Sequence, residues 1–288
     1  MKKYLKLMRV KHYIKNILVF LPFIFSGQFF QPFYLFRAIM GFLAFCLLSS
    51  AVYIFNDIRD AERDRLHPTK KNRPIASGAV SKRAAYILGI CLILATAVLQ
   101  YFSGAVQWYA WIILLAYLLL NIAYSMKLKN IPIVDIAILV SGYVLRVLYG
   151  SALGGIEISR WLYLTVIAMS FYLGLGKRRN ELIRQDDAVK RNVLQFYNQS
   201  FLDKNMYMCL ALAIAFYSLW AVDPITIARI NTGNIVWTVP LVILICMNYS
   251  LHVERDSDGD PVEVLLGDKL LLSLVALLGI ILVAMIYL

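Results

Sequence analysis

The sequence predicts an all-α membrane fold, a polytopic bundle of about nine transmembrane helices. Three observations predict it. The 288 residues are 61% apolar, with a mean hydropathy of +0.69; a water-soluble domain of this length needs far less apolar surface. Apolar stretches long enough to cross about 30 Å of hydrocarbon recur along the chain. The charged residues are gathered into alternate connections between those stretches.

The segments follow in order. The first, near 15–33, comes after Lys2, Lys3, Lys6, Arg9, Lys11 and Lys15, and it carries Pro22 and Pro32. A basic stretch followed by an apolar one resembles a signal peptide. No A-x-A-like site follows, so the segment is read as a retained first membrane helix. The second, near 35–55, ends where NDIRDAERD begins. The third and fourth, near 84–102 and 106–124, are plain apolar runs. The fifth, near 132–153, starts with Asp135 and carries Arg146 about three turns inside. The sixth, near 161–176, runs into Lys177, Arg178 and Arg179. The last three lie near 205–222, 234–251 and 268–287. No Pro/Ser linker or change of composition divides the chain, so residues 1–288 are read as one domain. The second and sixth segments both lead into charged loops, a faint trace of a duplicated helix–loop unit.

Orientation follows from the basic residues. Most lie before the first segment and in the second–third, fourth–fifth and sixth–seventh connections; the loops that alternate with these hold only Arg37, Arg160 and Arg229. The positive-inside rule places the N-terminus and the basic loops in the cytoplasm of a multi-pass cell-membrane protein. An odd number of spans places the C-terminus outside. The net charge of +12 is then loop anchoring, and no nucleic-acid partner is expected. Cys46, Cys91, Cys209 and Cys246 all lie in apolar stretches and form no C-x-x-C pair, so neither disulfides nor zinc is indicated. His12, His67 and His252 are dispersed; only His67 falls in a motif.

The chemistry concentrates in residues 49–83. Asn56, Asp57, Asp60 and Asp64 follow directly on an apolar run. On a helix, Asp57, Asp60 and Asp64 stand at i, i+3 and i+7 and share a face. Several oxygen ligands at the end of a buried helix suit Mg²⁺, whose shell is commonly completed by phosphate oxygens. A diphosphate is the implied partner, and Lys70, Lys71 and Arg73 supply further phosphate donors. A lone D-x-x-D is ordinarily a solvated loop. An asparagine, three spaced carboxylates and K-x-R-P together favour the metal reading.

The string NDIRDAERDRLHPTKKNRPIASG resembles the first motif of the UbiA superfamily of intramembrane prenyltransferases. It is closer to one branch, the decaprenyl-phosphate phosphoribosyltransferases. The resemblance runs from VKHYIKNILVF to GDPVEVLLGDK and implies a UbiA-like bundle with its active site on the cytoplasmic side. It makes Asp57, Asp60 and Asp64 catalytic through Mg²⁺, with Asn56 as a fourth ligand. It adds Lys15, Lys70, Arg73, Lys127 and Lys129 to the substrate-binding candidates. Arg146 joins them through VDI…SGYVLR; an ionisable residue inside a span is a functional candidate in any case. Most of the superfamily carries a second aspartate-rich motif after the sixth segment. Here the candidates are Tyr172, Lys177, Arg178 and Glu181, while Asp186 and Asp187 lack the spacing. Cations serve a phosphate without a bridging metal. In the eighth–ninth loop, Asp256, Asp258 and Asp260 are spaced like part of an EF-hand, but Glu263 comes too early for calcium. A D-P-x₆-D stretch there, shared with the branch, turns Asp268 toward the site.

The branch transfers 5-phosphoribose from phosphoribosyl diphosphate to a polyprenyl phosphate and releases diphosphate. The residues suit that reaction, since an anionic phosphate nucleophile needs no general base and none is evident. Two alternatives remain. One is an aromatic prenyltransferase of the same fold; the other is a non-enzymatic transporter, which would carry buried charges across the midplane.

Overall fold

A chain segment in hydrocarbon must satisfy its own backbone polar groups, so helices are the expected answer. The computed structural model describes residues 2–66, 70–183, 192–254 and 260–288, and these residues are helical with short connections. His67, Asp186, Asp187, Asp256 and Asp258 lie outside the described residues. Among the described residues six helices are long and apolar enough to span a membrane. They are α3 (Pro32–Arg65), α4 (Lys82–Phe102), α6 (Val134–Gly154), α8 (Gln199–Val222), Asn234–Glu254, which contains α10 (Val239–Glu254), and α12 (Lys269–Tyr287). The shorter α5 (Ala110–Met126) and the charge-ended α7 (Arg160–Ile183) pack with them. Short helices α1 (Lys2–Met8), α2 (Leu21–Phe25), α9 (Pro224–Ile230) and α11 (Pro261–Gly267) fill the ends.

Eight of the expected apolar segments are matched by helices, but 15–33 is not one helix. It is a 3-10 stretch, Val10–Phe20, followed by α2 and a turn. The sequence explains the break. Arg9 adopts a left-handed φ of 52° and Gly27 one of 73°. Pro22 and Pro32 lack an N–H and stand in the first turns of α2 and α3, where that loss is harmless.

Side-chain caps start several helices. Ser81, Asn198 and Asp268 accept hydrogen bonds from the N–H groups of Ala84, Phe201 and Leu270. Each satisfies an otherwise orphaned donor. α3 packs on α4, α5 and α6, α7 lies between α6 and α8, and α10 joins α8 to α12. The Tyr287 hydroxyl at the end of α12 donates to the Ile24 carbonyl at 2.8 Å, tying the last helix to the first segment.

The 3-10 stretch is held against α6 and α3. Gly150 of α6 makes the close approach possible, since a Cβ there would stand 2.1 Å from the Val19 carbonyl oxygen. Small residues at such crossings let membrane helices approach closely. Gly150→Ala should therefore push the stretch off α6 and cost roughly 1–3 kcal/mol. Thermal unfolding in detergent would show it, and an unchanged melting temperature would contradict the packing account.

Candidate active site

α3 has 34 residues, about 51 Å at 1.5 Å per residue, against about 30 Å of hydrocarbon. The helix is therefore longer than the hydrocarbon is thick, and its charged C-terminal turns carry Asn56, Asp57, Asp60 and Asp64. Each of these acceptors meets a donor from outside α3. Asp57, only 3% exposed, accepts from Arg9 Nη2 at 2.5 Å and from Arg73 Nη1 at 3.2 Å. The same Arg73 nitrogen lies 2.7 Å from Asp64. Lys129, just beyond α5, reaches Asp60 at 2.9 Å. The Asn56 amide oxygen accepts from the Ser125 hydroxyl. Lys70 opens the short 3-10 turn Lys70–Asn72, against which α1 is pinned by a Lys6 bond to the Asn72 carbonyl. Lys127 is exposed at the end of α5.

A second cluster forms where the first segment meets α7 and α11. Asp260 Oδ2 lies 3.0 Å from Lys15 Nζ and 3.7 Å from Lys177 Nζ. Burial alone would raise the Asp260 carboxyl, but Lys15 and then Lys177 beside it hold it well below the usual carboxylate range. The two clusters adjoin through Arg9, which pairs with Asp57 while its guanidinium stacks 4.9 Å from the Tyr53 ring centroid. Tyr53 in turn packs on His12.

Other predicted residues are committed elsewhere. Arg178 is fully buried; its Nε donates to Asp135 at 2.5 Å, Nη1 to Glu181 at 2.5 Å and Nη2 to the Tyr124 hydroxyl at 2.9 Å. Asp135 also accepts from Tyr197, whose hydroxyl accepts the Ile133 N–H. Ile133 there has a φ of 67°, a left-handed conformation unusual for a β-branched residue. Arg146 donates to Asn16 Oδ1 at 2.7 Å, to the Gly142 carbonyl and to Tyr117. The Tyr172 hydroxyl pairs with Ser250 at 2.6 Å. Asp268 caps α12 and lies 2.6 Å from His252. The structure adds Arg9, His12, Ser125 and Asp260 to the candidates. Arg9 stands 48 positions from its partner, and no local pattern marks it.

Carboxylates and basic side chains are gathered at one end of an apolar helical bundle of the polytopic membrane class. Residues 18–275 match the UbiA prenyltransferase family, and the chain belongs to that family. It is 32% identical over 275 residues to a decaprenyl-phosphate phosphoribosyltransferase of Corynebacterium glutamicum, spanning 93% of this chain and 81% of the relative. The enzyme of the same description from Mycolicibacterium smegmatis is 31% identical over 280 residues, spanning 93% of this chain and 87% of the relative. Among solved structures, a UbiA homologue from Archaeoglobus fulgidus bound to GPP and Mg²⁺ shares the fold. Its TM-score is 0.71 at 20% identity, over 98% of this chain and 97% of that one. The chain is thus a multi-pass membrane transferase.

The oxygen set on α3 is chemically suited to Mg²⁺, being three carboxylates and an amide oxygen on hard-ligand terms. Arg9, Arg73 and Lys129 engage those carboxylates here. No three His, Cys, Asp or Glu side chains among the described residues are gathered as a metal site. The donors fit the ion; holding it requires those cations to release them.

The burial of Arg178 separates it from its neighbour Lys177. Arg178→Ala should leave Asp135 buried without its cation and destabilise the fold by about 3–5 kcal/mol. Lys177, whose side chain is 30% exposed, should tolerate alanine with little change in melting temperature. Equal melting of the two variants would contradict this assignment.

Proposed function

We propose that the chain transfers 5-phosphoribose from phosphoribosyl diphosphate to a polyprenyl phosphate and releases diphosphate. The observation that carries the reading is the near full-length similarity to decaprenyl-phosphate phosphoribosyltransferases. The site's chemistry supports it. One acidic cluster serves one diphosphate, and KRRNE stands where most of the superfamily has its second acidic motif.

Asn56, Asp57, Asp60 and Asp64 would hold Mg²⁺, which when bound neutralises charge on the departing diphosphate. Arg9, Arg73 and Lys129 border the same cluster and bind diphosphate oxygens directly once they leave the carboxylates. Lys15 and Lys177 serve a phosphate of the reacting pair. The C1–O bond to diphosphate breaks, and its electron pair leaves with that group. A lipid phosphate oxygen, already anionic at neutral pH, forms the new C1–O bond, so no base is required. The protein's part is positioning and electrostatic stabilisation. The apolar helices would enclose the lipid tail, and the basic loops support a cytoplasmic location for this end of the bundle.

Purified protein with Mg²⁺, a long-chain polyprenyl phosphate and phosphoribosyl diphosphate should yield diphosphate and a phosphoribosylated lipid. With a polyprenyl diphosphate and an aromatic acid it should yield nothing. Prenylated aromatic product without lipid-linked sugar phosphate would overturn the reading. Asp57→Asn or Asp60→Asn should lower kcat at least about 10²-fold, on the scale of losing a charge-stabilising group. Near-normal turnover across Mg²⁺ concentrations would remove the metal assignment.

A further inference from the structure

We propose that His12, Lys15 and Lys177 form a phosphate-monoester subsite, and that the Asp260 carboxylate is its tethered internal occupant, displaced when a substrate phosphate binds. The proposal rests on the preceding reading, in which both substrates carry phosphate, and it names the residues and the occupant of one subsite.

Geometry carries the inference. Asp260 divides its two oxygens between different duties. Oδ1 accepts the Val262 N–H at 3.0 Å and caps α11. Oδ2 alone meets Lys15 and Lys177. An internal acid therefore presents one oxygen to two lysines from separate elements, as a phosphate oxygen would. Among the described residues two ammonium groups face one carboxylate, an excess of positive charge that attracts an incoming anion even with Asp260 in place.

His12 completes the donor set. Its Nδ1 is buried and has no hydrogen-bond partner among the described residues, a situation that costs free energy unless a ligand supplies one. The charges of Lys15, Asp260, Arg9 and Lys177 all act on its ring. Burial, then Lys15, push its pKa down to about 4. The imidazole is thus neutral at pH 7 and adds a donor without adding charge. Its ring packs 5.6 Å from that of Tyr53, on which the Arg9 partner of Asp57 stacks. His12 therefore lies between the aspartate cluster and the lysine pair, where two substrates' reacting ends would meet. α11, which Asp260 caps, packs on both α10 and the 3-10 stretch of the first segment, so Asp260 stands where the two ends of the chain meet.

The phosphate has two sources, the lipid phosphate or the 5-phosphate of the sugar donor. Binding to the full-length protein in nanodiscs separates them, with a short-chain polyprenyl monophosphate and ribose 5-phosphate titrated individually by calorimetry. Asp260→Asn keeps an oxygen for the Val262 N–H and removes only the charge. It should tighten one of the two phosphates about tenfold, the scale of one partly buried ion pair. Lys177→Met and His12→Ala should loosen that same phosphate, and the arm that responds names the source. Asp260→Asn that weakens both ligands, or leaves both unchanged, overturns the proposal. If that variant does not fold, unchanged binding of both phosphates in Lys177→Met and His12→Ala overturns it equally. Because binding is read without turnover, a failed transfer assay beside a tightened phosphate would remove the proposed reaction and leave the subsite standing.

Discussion

Asp57 sits almost fully buried on α3, and the charged end of the bundle is arranged around matching it. A carboxylate in such a place needs partners, because an unpaired buried charge is expensive. The partners come from far along the chain. Arg9 lies in the N-terminal region, Arg73 in the α3–α4 connection and, one turn further along α3, Lys129 in the α5–α6 connection pairs with Asp60. Three acids and three cations thus bind three separate connections to one helix end. The pairing orders these connections and at the same time collects the groups that a diphosphate would need.

The break in the first segment belongs to the same arrangement. A straight helix over 15–33 would have carried its basic lead away from α3 as a plain extension. Instead the left-handed residue Arg9 and the 3-10 stretch turn Arg9, His12 and Lys15 across the ends of α3, α7 and α11. Gly150 lets the stretch lie against α6 closely enough for Asn16 to accept from Arg146. Arg146 therefore fastens the stretch from within the bundle. Asn16 in turn donates to Ser49 and Cys46 of α3, so one polar network joins three elements near the site.

Much of this was legible in the sequence, and what was not has a physical reason. Helices in lipid announce themselves by length and hydropathy, and α4, α6 and α12 fall within two residues of their expected bounds, whereas α8 begins six residues earlier and α5 four later. The flank of Asp57, Asp60 and Asp64 follows from helical geometry alone. The roles within KRRNE did not follow. Consecutive helical residues are rotated by about 100° from one another, so three adjacent cations must face three ways. Lys177 meets Asp260, Arg178 turns inward to Asp135, and Arg179 meets Asp203. Composition reads them as one basic patch; only the packing of α7 between α6 and α8 assigns each a partner. Asp260 was obscured for a similar reason, since its partners are 245 residues away at Lys15 and on another helix at Lys177.

The two charged clusters differ in balance, and that difference bears on how each treats an anion. On α3 the three carboxylates are matched by Arg9, Arg73 and Lys129, so the cluster is near neutral and presents acidic oxygens to whatever displaces those cations. Around Asp260, among the described residues, two lysines face one acid, an excess of positive charge. A phosphate approaching bare carboxylates is repelled unless a cation intervenes, whereas lysines take it directly. On the proposed reading the first cluster is therefore suited to a group that arrives with a metal, and the second to one that arrives without. Both lie at the end where the apolar helices stop, so on the same proposed reading a lipid phosphate would reach its cations while its tail stayed in hydrocarbon. Moving either cluster toward the middle of the bundle would bury its charge without solvent and separate it from a water-borne sugar phosphate.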